Sequence, residues 1–247
     1  MTDWDLAVIT PTRGRPAGLR RLIAALARNS TARVMLAVGL DDDDPALDEY
    51  LGLLYPPHDD DLQPIIRDTV IEVAPRMTLA AWTNRFAVNL DGCAQFVASL
   101  GDDHEPLTHG WDTKLIAGIC SLPGAIGIAY GNDTLQGEAL PTAPVMSAEI
   151  PAALGYMCPP ALAHYYIDNA WRDLGERTGQ IRYMPDVIVR HHHPAGSGGR
   201  AGWLWDQTYE DAQATWSTGL DHVAYQAWRG DALDAAAARI RALAGAR

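Results

Sequence analysis

The chain has 247 residues, 48% of them hydrophobic and 20% charged, with a formal charge of −12. This composition suits one large globular domain, or a domain with a helical appendage, with a sizeable core; no apolar run approaches the roughly 20 residues that span a bilayer, and the acidic total argues against broad adhesion to nucleic acid or anionic lipid. Met1-Thr2-Asp3-Trp4-Asp5 is acidic where a signal peptide is basic, and Cys93, Cys120 and Cys158 are odd in number and set among apolar neighbours, which reads as reduced core thiols in a cytoplasmic protein.

Leu6–Ile9 reads as a short strand, broken by Thr10-Pro11-Thr12-Arg13-Gly14-Arg15-Pro16, after which Leu19, Leu22, Ile23 and Leu26 recur at helical spacing. Val34–Val38 is a second strand that ends at Gly39-Leu40 and the acidic run Asp41–Asp44, with Pro45 placed to open another helix. A βαβ unit follows, and with it a parallel sheet whose ligands sit outside the carboxyl ends of the strands. Ile65–Val73 supplies another strand, and Leu79–Leu90 is helical, with Trp82, Phe86 and Leu90 four apart. The run Phe96–Leu100 is a buried strand leading into Gly101-Asp102-Asp103-His104. Past Tyr130 the pattern loosens through a Pro-containing stretch at 141–160. A helix is expected over Leu162–Leu174 and a last strand at Val187–Val189, followed by Arg190-His191-His192-His193-Pro194 and the glycine-rich 195–200. The remainder, 201–247, carries Trp203, Trp205, Tyr209, Trp216 and Trp228 before an Ala-rich run, and reads as a helical extension packed on the domain of residues 1–200.

Two carboxylates at the end of a buried strand can hold a divalent cation against a phosphate, since oxygen ligands suit Mg²⁺ or Mn²⁺. In an extended segment His191 and His193 project to one side and His192 to the other, so one face offers two imidazoles to one site. A loop entering a helix N-terminus, as at 10–16, presents backbone N–H groups to anions, and Arg13 and Arg15 add charge-assisted contacts. Asp44 is a natural cap before Pro45, and Asp43 need only face water.

The series Val8-Ile9-Thr10-Pro11-Thr12-Arg13-Gly14-Arg15-Pro16, Asp41–Asp44, Asn84-Arg85 and Gly101-Asp102-Asp103-His104 resembles, in order and spacing, the nucleotide-sugar glycosyltransferases of the GT-A fold, in their family-two-like branch. The resemblance covers roughly residues 5–195 and also fits the short enzymes of this layout in bacteriophages. It implies an α/β fold with a mixed, mainly parallel sheet flanked by helices, and a metal-dependent, inverting transfer of sugar from a nucleotide-diphosphate donor, with a UDP-sugar expected. It implies that Thr10, Pro11, Thr12 and Arg13 line the nucleotide pocket, that Asp41 or Asp42 contacts base or ribose, and that Asn84 and Arg85 read the donor from a facing helix. Asp103 then ligates Mn²⁺ or Mg²⁺, with Asp102 on the ribose or a bound water. His104 stands where many relatives carry a third acid, as ligand or bystander, and His191 or His193 completes the metal site. Gly196, Gly198 and Gly199 would let a lid close. Asp168 is the expected base, with Asp133 second; a routine ion pair from Asp168 to Arg172 is its competing job. The expected acceptor is a protein or glycan hydroxyl. The alternative is a hydroxymethylated pyrimidine in DNA, served by Arg182, Arg190 and Arg200 with Tyr165, Tyr166 or Trp203 stacking on the base. A nucleotidyltransferase and a non-catalytic carbohydrate-binding protein are the competing readings.

Overall fold

Strand β1 (Trp4–Thr12) alternates: Leu6 and Val8 pack to one side of the sheet, and Ala7 and Ile9 to the other. Strand β2 (Val34–Asp41) divides the same way, with Leu36 and Val38 on one face and Met35 and Ala37 on the other. A sheet apolar on both faces must be covered twice. The computed structural model, which describes residues 2–55, 68–193 and 206–246, has helices on both sides.

Helix α1 (Pro16–Asn29) opens on proline at its first position and buries Leu19, Leu22, Ile23 and Leu26. With α2 (Leu47–Leu54) and α4 (Trp111–Cys120) it covers one face. The other face carries α3 (Leu79–Asn89), α5 (Glu149–Leu154), α6 (Ile167–Thr178), α8 (Leu220–Asp231) and α9 (Leu233–Gly245). Helix α7 (Gln207–Thr218) precedes α8. The remaining strands are β3 (Thr69–Ala74), β4 (Ala94–Ser99), β5 (His104–Pro106), β6 (Ile128–Asn132), β7 (Pro144–Ser147) and β8 (Ile181–His191).

The spatial order is β3-β2-β1-β4-β7-β6-β8-β5. Pairs β3/β2, β2/β1, β1/β4 and β6/β8 are parallel, whereas β7 runs antiparallel to β4 and β6, and β5 antiparallel to β8. The chain leaves β1 to one side for β2 and returns on the other for β4. The crevice above their carboxyl ends is therefore a switch point, where α/β sheets bind ligands.

Several expected boundaries move. Pro45 does not open a helix: the Asp44 carboxylate accepts from Gly14 N–H (2.9 Å) and Ala46 N–H (2.8 Å), which holds a turn, and α2 starts at Leu47. Ile65, Ile66 and Arg67 lie outside the described residues, and the strand expected there runs from Thr69. The strand at Val187–Val189 extends to 11 residues. The stretch read as loose after Tyr130 contains β7, which joins the two halves of the sheet. Cys158 is buried, but Cys93 and Cys120 are exposed and do not belong to the core.

The helix expected over Leu162–Leu174 begins only at Ile167. Tyr166 adopts a left-handed backbone (φ 66, ψ 7), which breaks a helical path. The three preceding backbone N–H groups, from Ala163, His164 and Tyr165, all donate to Asp221 of α8 at 2.8–2.9 Å. The C-terminal helices also supply Tyr225, Trp228, Leu233, Ala236 and Ile240 to the core that holds Trp171 and Leu174.

Gly39, inside β2, shows how closely α3 lies on the sheet: a Cβ there would meet the Trp82 ring at 2.7 Å. Trp82 also donates its indole N–H to Asp41 (2.9 Å) and stacks on Phe86, so it cannot yield freely. Gly39→Ala is expected to destabilise by about 1–3 kcal/mol through overpacking, read as a melting temperature several degrees lower. An unchanged thermal transition would show that the Trp82 ring is free to move.

Candidate functional site

Three strand ends build the site. In the β1 register Thr10 pairs with Val38 and Ile9 with Ser99, so Thr12, Asp41 and the turn after β4 reach one edge of the sheet together. The turn is tight: a Cβ on Gly101 would meet Asp103 Oδ1 at 2.5 Å and His104 Nδ1 at 3.2 Å. A fourth segment arrives through β5, whose His104 pairs directly with His191 of β8. Their rings stack with centroids 4.3 Å apart.

Asp103 is the hub. Its Oδ2 lies 3.4 Å from His191 Nε2, accepts from the Tyr209 hydroxyl (3.1 Å) and is 3.7 Å from Arg15. Its Oδ1 is 3.4 Å from His104 Nδ1. Burial opposes ionisation, but the hydrogen bond and charge of His191, with the charge of Arg15, hold this carboxyl well below the usual range. Asp102 behaves oppositely, raised by burial and by the neighbouring Asp103 charge. It accepts from Thr12 Oγ1 (2.5 Å) and lies 3.5 Å from Arg15. The Thr12 hydroxyl also meets Tyr50 (2.8 Å), which takes the Arg15 backbone N–H (2.6 Å).

The two stacked histidines differ in charge. Burial pulls His191 down, but the hydrogen bond and charge of Asp103, with the charge of Asp133 3.8 Å away, outweigh it and lift the imidazole to about 9. Burial and the His191 charge push His104 down to about 3, so it is neutral. His104 Nδ1 accepts the Gly101 backbone N–H (3.0 Å), while its Nε2 is buried with no partner among the described residues.

Arg15 is the residue whose surroundings the sequence does not reveal. It is buried, its guanidinium forms a two-pronged pair with Asp206 (both 2.7 Å), and it lies over the Tyr209 ring at 4.1 Å. Despite the opposing effect of burial, Asp206, Asp102 and Asp103 keep it firmly protonated. Three carboxylates thus surround the Arg15 guanidinium, and one of them, Asp103, also faces the His191 imidazolium.

The expected residues divide into several groups. Asp103, His104 and His191 offer one ligand atom each within 4.8 Å of one another, and no other such cluster occurs among the described residues. His193 lies outside it, in ring contact with His191 (5.4 Å) and Tyr209 (4.9 Å), while His192 points elsewhere to pair with Glu105 (2.8 Å). Thr12 and Asp102 reach the site; Thr10 is fully buried within β1 and has no surface to offer a nucleotide, and Pro11 is half-buried beside it. Arg13 sits between Asp41 (3.2 Å) and Asp43 (2.5 Å). Asp41 is buried and also accepts from Met77 N–H and Trp82, while Asp42 and Asp43 are exposed at that strand end.

Two residues of α3 expected to read the donor are engaged within the protein. The Asn84 side chain accepts from Met157 and Cys158 N–H (2.8 and 2.7 Å) and donates to Cys158 O (2.8 Å), so its capacity is spent on fixing that loop. Arg85 is exposed and paired with Glu72. Asp133 is also engaged: it accepts from three backbone N–H groups, Leu135, Gln136 and Gly137, and from Thr142. Against the effect of burial, these bonds and His191 hold Asp133 well below the usual range, so it is a weak base that steadies His191. Asp168, in the first turn of α6, accepts from Asn169 N–H (2.9 Å) and is raised by burial. The competing pair does not form, because Arg172 turns to Asp173 (3.1 Å). Gly196, Gly198, Gly199, Arg200, Trp203 and Trp205 lie outside the described residues.

No protein-family profile and no curated protein matches the chain. Solved structures do. A mannosyltransferase from Pyrobaculum calidifontis, in complex with GDP-Man and Mn²⁺, aligns over 99% of this chain and 77% of its own, with TM-score 0.59 and 12% identity. Glucosyl-3-phosphoglycerate synthase from Mycobacterium tuberculosis, with Mn²⁺, UDP-Glc and phosphoglyceric acid, aligns over 91% and 80%, with TM-score 0.56 and 11% identity. TarS (1–349) from S. aureus aligns over 84% and 68%, with TM-score 0.56 and 10% identity. The fold is thus of the GT-A type, an α/β sheet, mostly parallel, with C-terminal helices. No helix among the described residues is long and apolar enough to cross a membrane.

The donor set fits a divalent cation: one ionised carboxylate and two imidazoles converge, and the Nε2 of one imidazole, His104, is buried with no partner among the described residues. Imidazole suits Mn²⁺ better than Mg²⁺, which prefers oxygen. Calorimetric titration is expected to show Mn²⁺ bound about tenfold or more tightly than Mg²⁺, with His191→Ala weakening Mn²⁺ by about tenfold or more. Equal affinities for the two metals would remove both imidazoles from the ligand set.

Proposed function

We propose that the chain is a metal-dependent glycosyltransferase that moves a sugar from a nucleotide-diphosphate donor to an acceptor hydroxyl with inversion. The observation that carries this reading is the ligand set Asp103, His104 and His191 at the switch point of a GT-A-type sheet. A divalent cation held there supplies charge neutralisation as the diphosphate departs. The solved structures with Mn²⁺ and a UDP- or GDP-linked sugar support the same class of donor.

The chain's own groups take the other roles. Thr12 and Arg15 pin Asp102, which keeps the turn carrying Asp103 in place. Asp133 orients His191, and Arg13, already gripped by Asp41 and Asp43, shapes the nucleotide side with Asp42 exposed beside it. Asp168 takes the proton of the acceptor hydroxyl as its oxygen bonds to the anomeric carbon; the carbon–oxygen bond to the diphosphate breaks on the opposite face. Raised by burial and not ion-paired with Arg172, this carboxylate is a better base than Asp133. The acceptor is a protein or glycan hydroxyl, in keeping with the net charge of −12.

Incubation with a nucleotide-sugar panel and Mn²⁺ tests the class: release of a nucleoside diphosphate is expected, and pyrophosphate would point to nucleotidyl transfer instead. Asp168→Asn is expected to lower kcat by about 10²–10⁴-fold with donor KM nearly unchanged. The base works deprotonated, so wild-type activity rises with pH through its pKa, and burial sets that limb above the ordinary carboxylate range. Normal turnover in the variant would take the proton away from Asp168.

A further inference from the structure

A run of aromatic rings leads away from the metal ligands and is used neither by the donor site nor by the core alone. His193 contacts His191 and Tyr209 of α7, the helix that carries Trp216 about two turns further on, and His164 lies on the loop before α6. His164 meets Tyr165 edge-on (centroids 5.0 Å), and Tyr165 meets Trp216 of α7 in the same way (5.0 Å). Trp216 stacks on Tyr166 (5.6 Å, 16°), whose hydroxyl is 3.2 Å from His222 Nδ1. Here the surface is concave, with a cavity of about 370 Å³ bordered by Tyr166, Trp216, Ser217, Thr218, Asp221 and His222. That volume falls within the roughly 300–1,000 Å³ of small-molecule sites.

Three features separate this surface from ordinary packing. Trp216 is 48% exposed, although Trp is usually covered where no partner needs it. Tyr166 is held with positive φ, a conformation costly for a bulky residue and one that clusters at binding sites. The loop presenting Tyr165 and Tyr166 is locked by Asp221, which accepts three successive backbone N–H groups. An aromatic platform is therefore built at an energetic cost and then left partly open.

The lining selects the ligand's chemistry. It contains a carboxylate and no lysine or arginine, which disfavours a polyanion such as DNA, whose binding rests on cations facing phosphates. Flat aromatic faces rimmed by hydroxyls and an imidazole suit a neutral polyhydroxyl compound: sugar C–H bonds, partially positive, lie against the negative ring face, and sugar hydroxyls exchange hydrogen bonds with the rim. We propose that Tyr165, Tyr166, Trp216 and His222 form a carbohydrate platform that seats a neutral glycan acceptor and runs its reactive end toward His164 and the metal ligands. The proposal rests on the glycosyltransferase reading for the word acceptor; the sugar-binding surface stands without it.

The test titrates the full chain calorimetrically with mannotetraose, cellotetraose, maltotetraose and chitotetraose, alongside hydroxymethylated duplex DNA, and separately measures donor hydrolysis by the wild type. At least one tetrasaccharide is expected to bind. Trp216→Ala, checked by circular dichroism, should weaken it about tenfold, equal to about 1.4 kcal/mol, and Trp216→Phe should restore most of the loss. Leu220→Ala, at an exposed neighbour outside the lining, should leave affinity unchanged. Absence of tetrasaccharide binding, unchanged affinity in Trp216→Ala, or binding of the DNA alone would overturn the platform. Donor hydrolysis reports on the other reading: with sugar binding lost and hydrolysis intact the platform falls and the transferase stands, and with the reverse the platform stands as a sugar-binding surface.

Discussion

The site depends on keeping one buried carboxylate ionised. A carboxylate removed from water costs several kcal/mol unless opposite charge and hydrogen bonds replace its solvation. Asp103 obtains that replacement from three separate segments: Arg15 at the entry to α1, His191 at the end of β8, and Tyr209 in α7. Each contact fixes its own segment, so the need to compensate a single charge draws the β1, β4 and β8 ends and a C-terminal helix into one place. The Asp103 carboxylate, with the two imidazoles of His104 and His191 beside it, makes the same place hospitable to a cation.

The C-terminal helices are part of this arrangement rather than an ornament on it. Asp206 and Tyr209 complete the surroundings of Arg15, the Thr208 hydroxyl bonds the Arg13 carbonyl (3.0 Å), and Arg76 pairs with Asp211 (2.7 Å). Further along, Asp221 fixes the loop that carries Tyr165 and Tyr166, and Tyr225 and Trp228 enter the core. The carboxylate cluster and the aromatic surface thus share α7, through Tyr209 and Trp216. A disturbance in α7 reaches both.

The parts of the site legible in the sequence were those set by local order. The end of an apolar strand followed by Gly101-Asp102-Asp103-His104 marks a strand-end turn with acids, and alternation in an extended run separates His191 from His192; the structure has both features. Where a residue's neighbours lie far along the chain, sequence reading had no signal. Asn84 and Arg85 stand side by side as if addressed to one ligand, yet Asn84 is consumed by the backbone of Met157 and Cys158, and Arg85 by Glu72. Thr10 belongs to a strip that reads as a loop, but β1 continues through Thr12 and buries it. His193, on the same side as His191, touches its ring without joining the ligand atoms.

By itself the sequence determined the layered α/β class, the positions of the first strands, and the presence of acids and imidazoles at strand ends, because these follow from periodicity and from residues adjacent in the chain. Only the tertiary structure decided which of them meet. The antiparallel register of β5 and β8 sets His104 against His191. Asp206 reaches Arg15 across 191 positions. Tyr166 is turned out of the helix that its neighbours' spacing suggests. A buried charge selects its partners by proximity and desolvation in three dimensions, and neither quantity is written in the spacing of residues along one.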